Sequence, residues 1–481
     1  MSHQRAGSGR RQVSTVHTRV LGFRITSYRL AIVAAFVLIC LLYLGNLAGM
    51  GLILPDEPRY ADIGRAMAKS GDWITPRLWG SPWFEKPVLL YWLIGAGFKL
   101  GWGPEIAPRL PVALLGLGFL AFFWLRLRRL WNPAVAGYST ALLATSAGWL
   151  AYSHVAITDI PMAVFFSAAL LLSLEEENTN YTAIAALLGL ATLAKSLPPL
   201  VLFLPVVLLD YRRFRAWFRP GPVLAFAAVS LPWHILCTLR NGLEFPRVLF
   251  VEQQLGRFTS GALQHIQPWW FYIPVLPLLL YPWFPLLVVA SRDWRDRRVR
   301  LLYGVVLFGF VFLSAGVNKL PSYLLPLLPA LCILMGAGIP RSSRGQRLVV
   351  VSVGLLALLP PAAGVLPAAL STGIRSILVP WTALAGWLAA GLLTGVVLFF
   401  STRKNALFAA AGLAAICYLW FQTAVFPRID SVVSARALWN ATHPRCAPAL
   451  RRTVLYSLYY YAGRELAPCD SLDQAATPVV R

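Results

Sequence analysis

The chain has 481 residues, of which 58% are hydrophobic and only 13% charged, with a formal net charge of +24. Soluble globular chains carry about 45–50% apolar and about 25% charged residues, so this composition excludes a soluble domain and indicates an integral membrane protein. The basic excess falls in short clusters between apolar runs, "RLRR" at 126–129, "YRRFRAWFR" at 211–219, "SRDWRDRRVR" at 291–300 and "RSSRGQR" at 341–347; membrane insertion imposes that pattern on cytoplasmic loops, so a nucleic-acid partner is excluded.

Residues 1–27 form a basic cytoplasmic leader, and the apolar run after it has no small-residue cleavage site, so it reads as a retained span. Long apolar segments without short-period alternation point to helices rather than barrel strands. Thirteen spans are expected, over 28–48, 108–126, 133–153, 161–174, 181–195, 197–210, 221–239, 268–290, 301–315, 319–338, 347–368, 377–400 and 405–425. The break between 195 and 197 follows from "KSLPP", whose consecutive prolines interrupt a helix.

Between the first two spans lies 49–107, which contains "LPDEPRYADIGRAMAKSGDWITPRLWGSPWFEKP" at 54–87. This stretch holds five of the 19 acidic residues in the chain. Pro58 suits a first helical turn and Gly71 a helix end, with Tyr60, Ile63 and Met67 on one face and Arg59, Asp62, Arg65 and Lys69 on the other. An amphipathic helix lying on the membrane surface is expected there, and a second, more apolar one over 88–100.

Whether 88–103 spans is decided by parity. If it crossed, the later basic clusters would fall on alternating sides; if it lies along the surface, the leader and all four clusters share the cytoplasm. The second arrangement brings Asp56, Glu57, Glu85, Lys86, Asp159, Lys195, Glu252, Arg257, His265 and Lys319 to the extracytoplasmic face. Ionisable groups at span ends of such a chain are functional candidates.

Residues 426–481 form a small extracytoplasmic tail, expected to be α/β, with "SLYYYAG" at 457–463 read as a strand or as rings that stack on sugars. Cys446 and Cys469 lie in it on the oxidising side and are expected to pair, closing a loop in a segment that can bury little core. Cys40, Cys237, Cys332 and Cys417 read as small residues packed in or beside spans.

The stretch "DEPRYADIGRAMAKSGDWITPRLWGSPWFEKPVLLYW" resembles the first periplasmic loop of the lipid A aminoarabinose transferases, which stand with the protein O-mannosyltransferases in the GT-C class of polyprenyl-phosphate-sugar glycosyltransferases. "ITDIPM" at 157–162, "LAKSLPPLVLFLP" at 193–205, "FVEQQLGRF" at 250–258, "QPWWFYIPVLPLLLYPW" at 267–283 and "NKLPSYLLPLLPA" at 318–330 follow in the same order. The resemblance covers roughly 30–335. It implies a GT-C fold in a bacterial inner membrane and transfer of one sugar, aminoarabinose-like or hexose, from a polyprenyl-phosphate carrier to lipid A or a related glycolipid at the periplasmic face. It matches an essential loop carboxylate to Asp56, its partner acid to Asp159 and a Glu-Lys pair to Glu85 and Lys86. Pro58 stands where the family usually has Thr, and the tail is shorter than the family's.

The residue types suit that reaction. A carboxylate such as Asp56 can orient and deprotonate the attacking oxygen, with Asp159 as second acid. Cations must hold the departing phosphate, and Lys86 is placed for that. Glu57, Arg59, Tyr60, Glu85, Lys195, Arg257, His265, Lys319 and Tyr323 are the expected substrate-binding residues. Other roles stay open: Asp56 or Asp159 as a helix cap, Glu57 as the cap if Asp56 is catalytic, and Lys195 and Lys319 as snorkelling lysines. No cofactor is required, although a divalent metal on Glu85 and His265 is possible chemistry. A monomer is expected. A protein Ser/Thr acceptor is the enzymatic alternative. A transporter of lipid-linked sugar would place its ionisable groups near mid-membrane and show internal repeats, neither of which the sequence displays.

Overall fold

The computed structural model describes residues 33–256, 265–342, 344–372, 391, 395 and 406–469. The leader, Arg257, most of the expected span 377–400 and the last twelve residues lie outside these. The described chain is helical almost throughout, with one two-stranded hairpin, Arg77–Leu78 against Ser81–Pro82. Its turn uses left-handed backbone at Trp79 (φ 50°) and Gly80 (φ 89°), where the second position suits glycine.

Among the described residues six helices are long and apolar enough to cross a membrane: Ile106–Leu130, Pro220–Asn241, Arg297–Ala315, Pro321–Arg341, Gly345–Leu366 and Ala406–Val433. Shorter apolar helices, including Asp159–Ser173, Tyr181–Lys195 and Pro198–Leu209, pack between them. Local chemistry accounts for their ends. Pro133, Pro198 and Pro220 each open a helix, where a missing N–H costs nothing. Asn132 and Asn180 cap theirs by accepting from Val135 N at 2.9 Å and Ala183 N at 3.0 Å.

Several expected spans are broken. Residues 133–153 divide into Pro133–Ala144 and Ala147–Ser153, and 268–290 into short pieces around a Tyr281–Pro282 cis bond. Repeated prolines and Ser-Thr pairs explain this, since apolar composition alone does not hold a helix together. Thirteen uninterrupted spans are therefore not what the described residues show.

The basic clusters meet at one end of the bundle. Arg126 pairs with Glu175, whose backbone oxygen also accepts from Arg213 at 3.4 Å. Arg297 pairs with Asp210 at 2.5 Å, Arg298 donates to Leu130 O, and Arg341 reaches Asp293 at 3.4 Å. The first loop occupies the opposite end.

There, the first-loop helix Asp56–Ser70 ends at Gly71, whose left-handed residue (φ 76°) returns its N–H to Met67 O at 2.9 Å. It packs closely on Leu89–Lys99: a Cβ built on Gly64 would stand 2.7 Å from Ile94 Cβ. The charged face of the first-loop helix is not left open to water. Glu57, Arg59, Tyr60, Asp62 and Ile63 are all buried. The polar face is covered by the tail helix Arg452–Ala462, where a strand was expected. Ser457, Leu458, Tyr459 and Tyr460 are buried, and Gly463 (φ 72°) ends the helix. Among the described tail residues the extended pairing is a lone bridge, Ala447 with Pro468, beside the Cys446–Cys469 disulfide (Cα–Cα 5.0 Å). The described part of the tail is helical, without the strands that an α/β segment would have.

Candidate active site

Two ion-paired clusters sit side by side at the loop end. In the first, Asp56 opens the first-loop helix but caps nothing; its carboxylate pairs with Arg59 one turn on. Arg59 also faces Glu85 at 3.7 Å, and its Nε donates to Pro55 O at 2.9 Å. Burial works against the Arg59 charge, but Asp56, Tyr60, Glu85 and Tyr456 outweigh it and hold its proton above the ordinary arginine value. Behind the cluster stand the buried rings of Tyr60 and Tyr91, 5.7 Å apart. Burial and the neighbouring carboxylates keep both phenols protonated, well above the usual tyrosine range.

In the second cluster Asp159 begins its helix without capping it and binds Lys195 instead. Lys195 ends its own helix, and the chain turns sharply at Ser196 (φ 62°) before the two prolines, which aims the ammonium inward. That ammonium also lies 4.3 Å from the centre of the Tyr323 ring. Lys86, buried and adjacent to Glu85, joins the clusters. Lys86, Lys195 and Tyr323 line one cavity of about 340 Å³ with Gln253 and Asn318, while Met162, Leu202, Phe312 and Leu313 form its apolar wall.

The remaining expected residues fall elsewhere. Glu57 is neither a cap nor open to a substrate: Arg109 grips both of its oxygens at 2.8 Å, and Ile53 N and Ala156 N donate to them at 2.7 and 3.0 Å. With four protein donors on a fully buried carboxylate, its place is a structural clamp. Lys319 does not snorkel. It is buried, donating to Gln267 O at 2.9 Å and Gly316 O at 2.5 Å. It ties down the loop in which Lys319 N also donates to His265 O at 3.0 Å. His265 is exposed, as is Glu252, which pairs with Arg247 at 3.4 Å. Among the described residues no three His, Cys, Asp or Glu side chains form a group able to hold a metal, and the Glu85 carboxylate faces Arg59.

Sequence reading missed Arg109, the fully buried partner of Glu57, which also donates to Leu47 O, Met50 O and Gly51 O. Its signal was available, as an arginine inside an otherwise apolar run, "APRLPV". Gln253 and Asn318 in the cavity wall and Tyr456 beside Arg59 gave no comparable signal.

Residues 85–235 match the family described as dolichyl-phosphate-mannose-protein mannosyltransferase. An undecaprenyl phosphate-α-4-amino-4-deoxy-L-arabinose arabinosyl transferase of Pseudomonas fluorescens is 32% identical over 390 residues, 73% of this chain and 69% of that protein. The chain belongs to this arabinosyl transferase family. A Pseudomonas aeruginosa member is 33% identical over 66% of this chain, and the alignment spans 62% of that relative's length. The fold agrees: the crystal structure of ArnT from Cupriavidus metallidurans bound to undecaprenyl phosphate superposes with a TM-score of 0.73 at 25% identity, covering 92% of this chain and 86% of that one.

Proposed function

We propose that this protein transfers a monosaccharide from a polyprenyl-phosphate carrier to lipid A or a related envelope glycolipid, at the periplasmic face of a bacterial inner membrane. The observation that carries this reading is the cavity whose mostly apolar wall ends in Lys86, Lys195 and Tyr323, with Lys86 following directly on Glu85 of the Asp56–Arg59–Glu85 cluster. An isoprenoid phosphate has matching halves, an apolar tail and a compact anion. Family membership and the undecaprenyl phosphate bound to a structural relative support it.

In the proposed reaction the acceptor oxygen attacks the anomeric carbon while the sugar–phosphate C–O bond breaks, with inversion in a single displacement. Asp56 orients the acceptor and takes its proton; the phosphate leaves as an anion against Lys86 and Lys195. Two unit charges about 4 Å apart interact by about 4 kcal/mol at an effective dielectric near 20, so two convergent ammonium groups lower the barrier substantially as phosphate charge develops. Asp159 keeps Lys195 aimed at the cavity and tempers the charge there before substrate arrives. Tyr323 presents its ring to the same ammonium.

The test is reconstitution of the full chain with undecaprenyl phosphate-linked sugars and lipid A, followed by mass spectrometry of the acceptor. A mass increment of one sugar is expected; modification of co-supplied peptide Ser/Thr and not of lipid A would instead support a protein O-mannosyltransferase, the reading favoured by the family match over 85–235. Movement of the lipid-linked sugar without transfer would indicate a transporter.

A further inference from the structure

The tail and the first loop converge on a single guanidinium. Arg59 lies close to two rings, with its central carbon 5.3 Å from the Trp83 centroid and 5.2 Å from that of Tyr456. Its edge faces Asp56, Glu85 and Pro55 O. Trp83 comes from the same loop, whereas Tyr456 is supplied by the tail helix.

We infer that Tyr456 is a positioning residue for the transfer reaction, holding the Arg59 guanidinium plane and, through it, the Asp56 carboxylate. The inference rests on the function proposed above, in which Asp56 handles the acceptor. Asp56 is a third exposed, at the start of a helix without a side-chain cap, and Arg59 is the partner that fixes its direction. A guanidinium keeps one orientation best when its N–H edge is paired and aromatic rings pack against it. Removing one of the two rings frees the guanidinium to shift, and the carboxylate follows. Tyr456 is itself held in place. Arg452 Nε donates to its hydroxyl at 3.2 Å, and the Trp79 ring lies 5.8 Å away. The tail helix is anchored by Ser457 Oγ, which accepts from Ala435 N at 3.1 Å, and by Tyr460, whose hydroxyl donates to Pro104 O at 2.7 Å. Such support is what keeps an active-site carboxylate within its working geometry.

The test compares Tyr456→Leu, Tyr456→Phe and wild type as full-length protein in lipid nanodiscs. With undecaprenyl phosphate-linked sugar and lipid A, Tyr456→Leu should lower kcat about ten-fold, whereas Tyr456→Phe, which keeps the ring face, should retain most of it. Donor KM and equilibrium binding of undecaprenyl phosphate should stay within about two-fold of wild type in both, because the donor cavity is lined by other residues. The inference is overturned if Tyr456→Leu retains wild-type kcat, if Tyr456→Phe falls equally far, or if donor binding is lost in parallel with kcat. A second readout does not depend on turnover: modification of Arg59 by phenylglyoxal, followed by peptide mass spectrometry, should accelerate in Tyr456→Leu and not in Tyr456→Phe. Wild-type protein that transfers nothing would sink the proposed function. Equal Arg59 labelling in all three proteins would sink the positioning contact, whatever the transfer assay shows.

Discussion

Glu57→Gln separates a structural carboxylate from a substrate-binding one. In the native protein Glu57 and Arg109 exchange two charge-assisted hydrogen bonds at 2.8 Å with both side chains out of water. Arg109 spends its other donors on the backbone oxygens of Leu47, Met50 and Gly51, and Glu57 accepts from the backbone of Ile53 and Ala156. The pair thus joins the loop entrance, the helix Ile106–Leu130 and the turn before Asp159. Replacing the carboxylate by an amide of the same shape leaves the arginine charge buried without its counter-charge and sets an NH₂ against an arginine N–H. Removal of one partner from a buried ion pair costs about 3–5 kcal/mol, a large part of the ~5–15 kcal/mol that holds a typical soluble domain together. The assay is thermal unfolding in nanodiscs, monitored by tryptophan fluorescence, with donor KM measured on the fraction that remains folded. A drop in unfolding temperature of several degrees with donor KM unchanged is expected. Wild-type thermal stability combined with a raised donor KM would refute the clamp and return Glu57 to the substrate site.

Asp56→Asn should abolish transfer while leaving undecaprenyl phosphate binding intact, since the amide cannot accept the acceptor's proton; near-wild-type turnover in purified protein would remove Asp56 from the mechanism. Lys195→Met should weaken undecaprenyl phosphate binding by ten-fold or more, because the cavity loses one cation and Asp159 loses its partner; unchanged affinity by titration would place the phosphate elsewhere. Gly64→Val should destabilise the loop end by about 1–3 kcal/mol, as even a Cβ there stands 2.7 Å from Ile94 Cβ; a melting temperature equal to wild type would show that the two helices are not tightly packed. Reduction of Cys446–Cys469 should loosen the tail and lower kcat, with little change in donor binding, an outcome checked by kinetics with and without reductant.

Much of the loop end was legible in the sequence because it is built from local rules. Pro58 and Gly71 mark the first-loop helix to within two residues of its bounds, Asp56–Ser70, and "KSLPP" marks the break that aims Lys195. The basic clusters placed the first loop opposite the arginine-rich turns, and hence Asp56, Lys86, Asp159 and Lys195 at one end, because charge distribution follows a rule that needs no tertiary contact. What only the tertiary structure decided is which cation each carboxylate takes and what covers the polar face of the first loop. Asp56 and Asp159 look like helix caps from their positions, and Glu57 looks like the substitute for Asp56. Arginine and lysine side chains are long and can swing over several residues, so spacing along the chain does not select a partner. The "YYY" of the tail reads as a strand by propensity, yet it is helical because a helix lays Tyr456, Tyr459 and Tyr460 along the loop, where they pack against Arg59, Trp79 and Arg65. Burial of those rings exceeds the local preference of the segment, and burial depends on a surface nearly four hundred residues earlier in the chain.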